Sequence, residues 1–227
     1  MMRVGRPPAQ AWRADWYSDA MSYAFALAGL AFVHLLAVAS PGPSFLLVAQ
    51  LAAARSRRSA LLAALAMMIG ALLWAAAALF GLQLLFARFE TLYLVLRVAG
   101  GLYLLWIALQ IFRHAAVAAP TIERVEPRAG DLAVFRHALL VQLSNPKIAV
   151  FFGTIFVALL PADPPLWVLA AVLAIVAIDE LGWFTLVALL FSAGPARRLY
   201  RRAQSSIDRI TGLVLGGLGL RLIFDQR

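Results

Sequence analysis

Long apolar stretches, separated by short segments that carry arginine, are the dominant pattern along this chain. Residues 20–54 and 59–87 contain no Asp, Glu, Lys or Arg, and about 20 apolar residues are enough to cross a bilayer. The pattern predicts an all-α polytopic membrane protein with six transmembrane helices. Their approximate bounds are 22–53, 60–87, 91–112, 137–160, 165–192 and 207–224.

Proline interrupts two of these predicted helices, the first and the fourth. A proline removes a helical N–H and blocks the preceding turn, so each break leaves backbone polar groups that need new partners inside a membrane. Two interrupted helices in matching halves of a chain point to the binding site of a transporter. The residues predicted to bind substrate at the two breaks are Ser40, Pro41, Gly42, Pro43, Ser44, Asn145, Pro146 and Lys147.

The two halves of the chain resemble each other weakly. Residues 35–41 match residues 139–145 at an offset of 104, and Trp74 matches Trp183 at an offset of 109. Each half holds three predicted spans, an odd number, so the second half must be inverted relative to the first. The sequence therefore predicts a 3+3 inverted repeat, an architecture that recurs in secondary transporters.

The predicted transporter domain covers residues 21–225. Its halves are about 21–112 and 137–225, and a polar linker at 113–136 joins them. Residues 1–20 form a polar N-terminal extension, and Met21 is an alternative start for the protein. A secretory signal is the competing interpretation of this region.

Composition and charge agree with a membrane protein. Hydrophobic residues make up 63% of the chain and charged residues 14%, against roughly 45–50% and about 25% in soluble domains. The net charge of +9 could indicate nucleic-acid binding, but arginines cluster in short loops between spans, which fits the positive-inside bias. The absence of Cys excludes disulfides and thiolate metal sites, and no cofactor or enzymatic activity is predicted.

The distribution of arginine also predicts the orientation. Twelve arginines lie in the loops that include the linker 113–136, and six lie in the alternate loops and at the two termini. Loops rich in Lys and Arg stay in the cytoplasm. We therefore predict a multi-pass membrane protein with a cytoplasmic linker and both termini outside.

An acidic pair near the centre of the fifth span is the clearest candidate for charge coupling. Asp179 and Glu180 are flanked by apolar residues, and an intramembrane carboxylate costs a few kcal/mol on insertion scales. Consecutive helical residues point about 100° apart, so we expect only one of the two to face a narrow cavity. Each is a candidate to carry a proton or bind a substrate amine, and a structural ion pair with Arg97 is the alternative.

Other polar residues near the breaks suggest how a solute would bind. The half-helix that begins near Ser44 presents N–H groups that suit a carboxylate, and Gly42 permits an unusual backbone angle. Lys147 either pairs with Asp179 or a substrate carboxylate, or extends to the membrane interface. His34 and His137 also lie near the breaks. Each is a candidate to titrate near neutral pH, but a single His in a span is more often a hydrogen-bonded packing residue.

Four segments resemble, in order, the signature segments of the LysE/RhtB family of amino-acid exporters. The family usually has an acidic residue or Asn where Ser44 stands here, which weakens any role for that position in direct coordination. The resemblance covers about residues 21–224. The matching segments are 40–48 (SPGPSFLLV), 96–104 (LRVAGGLYL), 145–152 (NPKIAVFF) and 210–222 (ITGLVLGGLGLRL).

This resemblance implies an inner-membrane exporter of amino acids or related metabolites, driven by proton antiport. Gly42 and the adjoining backbone would receive the substrate carboxylate, while Asp179, with or without Glu180, would bind the amine or carry the proton. Lys147 and Arg97 would balance the charge. The predicted partners are an amino acid and membrane lipid, with no nucleic acid and with a homodimer left open. The alternatives are an exporter of a non-amino-acid solute or ion, and a non-transporting membrane scaffold.

Overall fold

Eight α-helices make up the described part of the chain. The computed structural model describes residues 9–40, 42–86, 98–106, 108–110, 130–160, 164–192 and 194–224, and no strand occurs among them. The predicted all-α class is confirmed. The helices are α1 (Ala9–Ala39), α2 (Pro43–Ala54), α3 (Arg57–Phe86), α4 (Val98–Gln110), α5 (Asp131–Leu143), α6 (Pro146–Leu159), α7 (Leu166–Phe191) and α8 (Gly194–Phe224).

Several of the described helices are long and apolar enough to cross a membrane. Three qualify individually: Met21–Ala39 within α1, Arg57–Gly81 within α3, and the whole of α7. The α5–α6 pair is bent by 53° at its break and makes a fourth when it is counted as one span. Helices α2 and α4 are shorter apolar helices.

Both predicted breaks occur where proline places them. Helix α1 ends at Ala39 and α2 begins at Pro43, while α5 ends at Leu143 and α6 begins at Pro146. Each proline is in the first turn of the half-helix that follows the break. A missing N–H costs nothing there, because the first N–H groups of a helix have no partner within the helix.

Three helix starts differ from the sequence prediction. Helix α1 begins at Ala9 rather than 22, α5 at Asp131 rather than 137, and α8 at Gly194 rather than 207. Apolar runs mark where a helix enters the membrane, but a helix continues into water when its residues have good helical propensity. The segment 194–206 is rich in Arg and Ala, which rank among the stronger helix formers.

Helices α3 and α7 lie at the centre of the packing. One apolar cluster contains buried residues of α1, α3, α4, α6, α7 and α8, including Leu30 and Phe152. A second cluster contains residues of α2, α3, α5 and α7, including Leu47 and Met67. Among the buried residues that the structure describes, those of α3 and α7 occur in both clusters, so these two helices connect the two broken helices to a common core.

Helices α4 and α8 approach each other closely through glycine. A methyl group added at Gly219 would lie 2.7 Å from the carbonyl oxygen of Gly101, and one at Gly101 would lie 2.8 Å from the carbonyl oxygen of Gly219. Neither position has room for a side chain. At Gly216, one turn earlier, an added methyl group would be 3.5 Å from Ala108 Cβ, an ordinary contact. Small residues allow this approach of helix backbones.

Candidate functional site

A small cavity lies between the two helix breaks. Its volume is about 30 Å³, which is room for water molecules but not for an amino acid. Helices α1, α2, α6 and α7 and the second break all contribute to its walls. Its polar lining is formed by His34, Ser40, Gly42, Ser44, Asn145, Lys147 and Glu180, and its apolar lining by Ala37, Val38, Phe45, Ile148, Phe151, Phe152 and Phe184.

A chain of buried hydrogen bonds runs from the second break to the acidic pair. The Asn145 Nδ2 donates to Ser44 Oγ over 3.1 Å, and Ser44 Oγ donates to Gln142 Oε1 over 2.5 Å. The Gln142 Nε2 then donates to Glu180 Oε2 over 3.2 Å. This chain joins α2, the α5–α6 break and α7, so a movement at either break changes the surroundings of Glu180.

The His34 ring lies between the two adjacent carboxylates. Its Nδ1 is 3.1 Å from Asp179 Oδ2, and its Nε2 is 3.9 Å from Glu180 Oε1. The side chains of His34 and Glu180 are 2% and 3% exposed, whereas that of Asp179 is 14% exposed. Burial of a carboxylate costs free energy unless charged or polar partners compensate it, and the ring and the Gln142 amide are such partners.

Aromatic rings hold the imidazole in this position. The centroids of Phe151 and Phe152 are 5.6 and 5.4 Å from that of His34. Both phenylalanines follow the second break on α6 and line the cavity. They restrict the ring, so its contacts with the acidic pair depend on the position of α6 relative to α1.

Side chains from other helices satisfy carbonyl groups that the breaks set free. At the first break, Lys147 Nζ donates to Ala37 O over 2.8 Å and to Ser40 O over 3.3 Å. At the second break, Trp74 Nε1 donates to Leu143 O over 3.2 Å. The last carbonyls of a helix have no partner within it, so these contacts let the helices stop inside the apolar core. Lys147 also brings a positive charge to the carboxyl end of α1, which the helix dipole favours.

The two half-helices differ at their N-termini. The side chain of Asn145 caps α6, because its Oδ1 accepts a hydrogen bond from Lys147 N over 3.1 Å. Gly42 precedes α2 and supplies no side-chain cap. Gly42 does not adopt the unusual backbone angle that glycine permits: with φ of −159° and ψ of −175°, it is extended. A methyl group added there would meet nothing within 4 Å, so the N-terminus of α2 is open on this side.

Most of the predicted site residues come together in this region. Ser40, Gly42, Ser44, Asn145, Lys147 and Glu180 line the cavity, and Pro43 and Pro146 begin the two half-helices. Asp179 does not line the cavity but reaches it indirectly through His34. Pro41 and Arg97 lie outside the described residues.

Two residues of this site were not among the predicted site residues. His34 was interpreted first as a packing residue and second as a group that titrates near neutral pH, and Gln142 was noted only for its closeness to the break. One signal was present in the sequence: His34 lies nine residues before Pro43, and His137 lies nine residues before Pro146. No such signal distinguished Gln142 from the other glutamines of the apolar stretches.

Comparison with known proteins gives the family of this chain. A family model described as LysE type translocator matches residues 35–226. The chain belongs to the LysE-type translocator family. The resemblance seen in the four sequence segments is therefore confirmed.

The relatives of this translocator include named efflux proteins. A threonine efflux protein of Salmonella typhi is 35% identical over 203 residues, which cover 87% of this chain and 97% of that protein. A threonine efflux protein of Escherichia coli (strain K12) is 35% identical over 201 residues, again 87% and 97% of the two chains. A leucine efflux protein of Salmonella choleraesuis is 27% identical over 209 residues, 89% of this chain and 94% of that protein. No solved structure matches the chain.

Proposed function

We propose that this LysE-type translocator is a secondary exporter of small neutral amino acids, driven by proton antiport across the bacterial inner membrane. The main support is the meeting of two interrupted helices around a cavity that contains a buried glutamate. Broken helices and intramembrane carboxylates both cost insertion free energy, and both recur where transporters bind solutes and ions. The named relatives make threonine the first substrate to test and leucine the second.

The proposed architecture is a 3+3 inverted repeat of six spans, with both termini outside and the linker 113–136 in the cytoplasm. In this arrangement α1–α2 corresponds to α5–α6, α3 to α7, and α4 to α8. The packing of the described helices is consistent with it, because α1 packs on α7 while α5 packs on α3. These two contacts are each other's counterparts under the proposed symmetry.

For the substrate carboxylate we propose the N-terminus of α2, at Gly42 and Ser44. This end has no side-chain cap and faces the cavity, and helix N-termini favour negative charge. The proline residues on either side of Gly42 would keep the break open. At the second break Asn145, Pro146 and Lys147 would complete the polar wall, since Asn145 already contacts Ser44.

For the substrate amine and the coupling proton we propose the acidic pair. Glu180 borders the cavity, and Asp179 lies beyond His34. Lys147 and Arg97 would balance the charge as the amine or proton enters and leaves. Because the cavity has only about 30 Å³, the bundle must open before an amino acid can bind, as alternating access requires.

Uptake into inside-out membrane vesicles tests this function. Vesicles with an acidic interior should accumulate labelled threonine, and accumulation should stop when the proton gradient is collapsed. Vesicles without the protein give the background. The variants Asp179→Asn and Glu180→Gln keep the size of each side chain but remove its charge, and at least one of them should abolish gradient-driven accumulation.

Several outcomes would contradict the proposal. Full accumulation by both variants would show that the acidic pair has no coupling role. If no amino acid of a broad panel accumulates with correctly inserted protein, the substrate is a different solute or ion. If no solute moves at all, a membrane scaffold becomes the better interpretation.

A further inference from the structure

We infer that His34 of the first half and the Asp179–Glu180 pair of the second half form one proton-binding site, and that the positions matching them under the proposed repeat form no second such site. The inference rests on the proposed function and extends it. It assigns a coupling role to His34, and it gives the His of the other half no such role.

The hydrogen-bond donors and acceptors of His34, Asp179 and Glu180 are arranged so that this cluster can bind and release a proton. A neutral imidazole has one N–H, whereas a protonated ring has two. The two ring nitrogens of His34 face different carboxylates, at 3.1 Å for Asp179 and 3.9 Å for Glu180. A neutral ring can donate to only one of them, and an added proton allows the ring to donate towards both.

The charges around the cavity also indicate that the cluster binds one proton. Lys147 on α6 faces this cavity together with Glu180 and His34. With Lys147 charged, both carboxylates ionised and the ring neutral, these groups carry one net negative charge. Binding of a single proton neutralises the cluster, and uncompensated buried charge is strongly unfavourable. Residues 59–86 of α3 and 98–106 and 108–110 of α4 contain no Asp, Glu, Lys or Arg. The two arginines of α8 whose side chains are described, Arg209 and Arg221, are exposed.

The cluster is connected to the proposed substrate site. Glu180 accepts a hydrogen bond from Gln142, which accepts one from Ser44 at the start of α2. A substrate carboxylate at that helix end would compete for Ser44. Loss of the Ser44 contact would release Gln142, and with it one of the donors that compensate Glu180. Proton and substrate would therefore influence each other through two hydrogen bonds.

The second half contains a histidine at the same distance from its break, but the first half has no acids at the positions that match the acidic pair. His34 and His137 each lie nine residues before the proline that begins the next half-helix. The Nε2 of His137 is buried and has no hydrogen-bond partner in the described part of the structure. Since Trp74 matches Trp183 at an offset of 109, the counterparts of Asp179 and Glu180 are Gly70 and Ala71.

Packing at Gly70 explains why no acid occupies the position in the first half that matches Asp179. A methyl group added at Gly70 would lie 2.7 Å from Gln142 Cγ and 2.9 Å from Gln142 Cβ. The space that a carboxylate would need is therefore filled by the stem of the same glutamine that donates to Glu180. Gln142 therefore both donates to Glu180 and fills the space at the matching position of the first half.

Two assays on the same variants test the inference. Proton-driven accumulation of threonine in inside-out vesicles, measured across a range of pH, reports coupling. Counterflow, the exchange of labelled for unlabelled threonine without a proton gradient, reports binding and conformational exchange. His34→Gln keeps a polar side chain but cannot take up a proton, and His137→Gln is the matched control in the other half.

We expect His34→Gln to lower accumulation at least tenfold and to flatten its pH dependence, while counterflow falls less than threefold. His137→Gln should resemble the wild type in both assays. Wild-type accumulation and pH dependence in His34→Gln, or equal losses in both variants, would overturn the inference.

The variant Asp179→Asn distinguishes a structural defect from loss of the proton site, because Asp179 contacts His34 but does not line the cavity. If His34→Gln loses counterflow as well, a selective loss of accumulation in Asp179→Asn supports the proton site, and its wild-type accumulation overturns it. Loss of counterflow in both cluster variants also counts against the inference, because the cluster would then be structural. Absence of accumulation by the wild-type protein would instead contradict the proposed function itself.

Discussion

Replacement of Gly70 by alanine would disturb the contact on which the buried polar network depends. The added Cβ would lie 2.7 Å from Gln142 Cγ and 2.9 Å from Gln142 Cβ, about 1 Å closer than a favourable carbon–carbon contact. These atoms are at the base of the glutamine, so its amide cannot keep its place when the base moves. We expect the Gln142 hydrogen bonds to Glu180 and Ser44 to break.

The expected change in the free energy of unfolding combines two destabilising effects and one stabilising effect. Overpacking of a close-packed interior costs about 1–3 kcal/mol, and a buried acceptor that loses its donor costs about 1–3 kcal/mol. Helical propensity favours alanine over glycine by about 1 kcal/mol. The free energy of unfolding of Gly70→Ala should therefore fall by roughly 1–5 kcal/mol, the net of these terms.

The matched control is Gly81→Ala in the same helix, where an added methyl group meets nothing within 4 Å. Unfolding of the purified proteins in detergent gives their relative stability, and vesicle uptake gives their activity. Gly81→Ala should be as stable as the wild type or slightly more stable, with normal uptake. If Gly70→Ala matches Gly81→Ala in both measurements, the close packing of Gly70 on Gln142 has no energetic consequence and the reasoning is wrong.

Three further substitutions test other contacts by unfolding in detergent. Gly219→Ala should destabilise the protein strongly, because its methyl group would lie 2.7 Å from the Gly101 carbonyl oxygen and the backbone cannot move aside cheaply. Gly217→Ala, which places its methyl group in open space, is the control. Equal stability of the two variants would contradict the close approach of α4 and α8. Asn145→Ala should lose about 1–3.5 kcal/mol, because it removes both the cap of α6 and the buried hydrogen bond to Ser44, and unchanged stability would contradict a role for these contacts. Arg58→Ala should change stability by less than about 1 kcal/mol, because its 2.6 Å ion pair with Asp131 is exposed; a larger loss would indicate a network beyond this pair.

The sequence by itself determined the class of the protein, the helix breaks and the presence of intramembrane charge. Each of these depends on local chemistry: apolar runs enter lipid, proline cannot continue a helix, and a carboxylate among apolar residues is costly wherever the helix points. The family resemblance also came from local segments. Hydropathy marks the apolar part of a helix and not its full length, so the sequence prediction misplaced the helix starts that lie beyond the apolar runs.

Only the tertiary structure decided which polar residues meet. His34 contacts Asp179 across 145 positions of sequence, and Gln142 joins Ser44 to Glu180 from a third helix. The rotation of α7 directs Glu180 rather than Asp179 into the cavity, and that rotation depends on packing against α1, α2 and α3 together. Periodicity within one helix gives the relative directions of its side chains, but the absolute direction is fixed only when neighbouring helices pack against it.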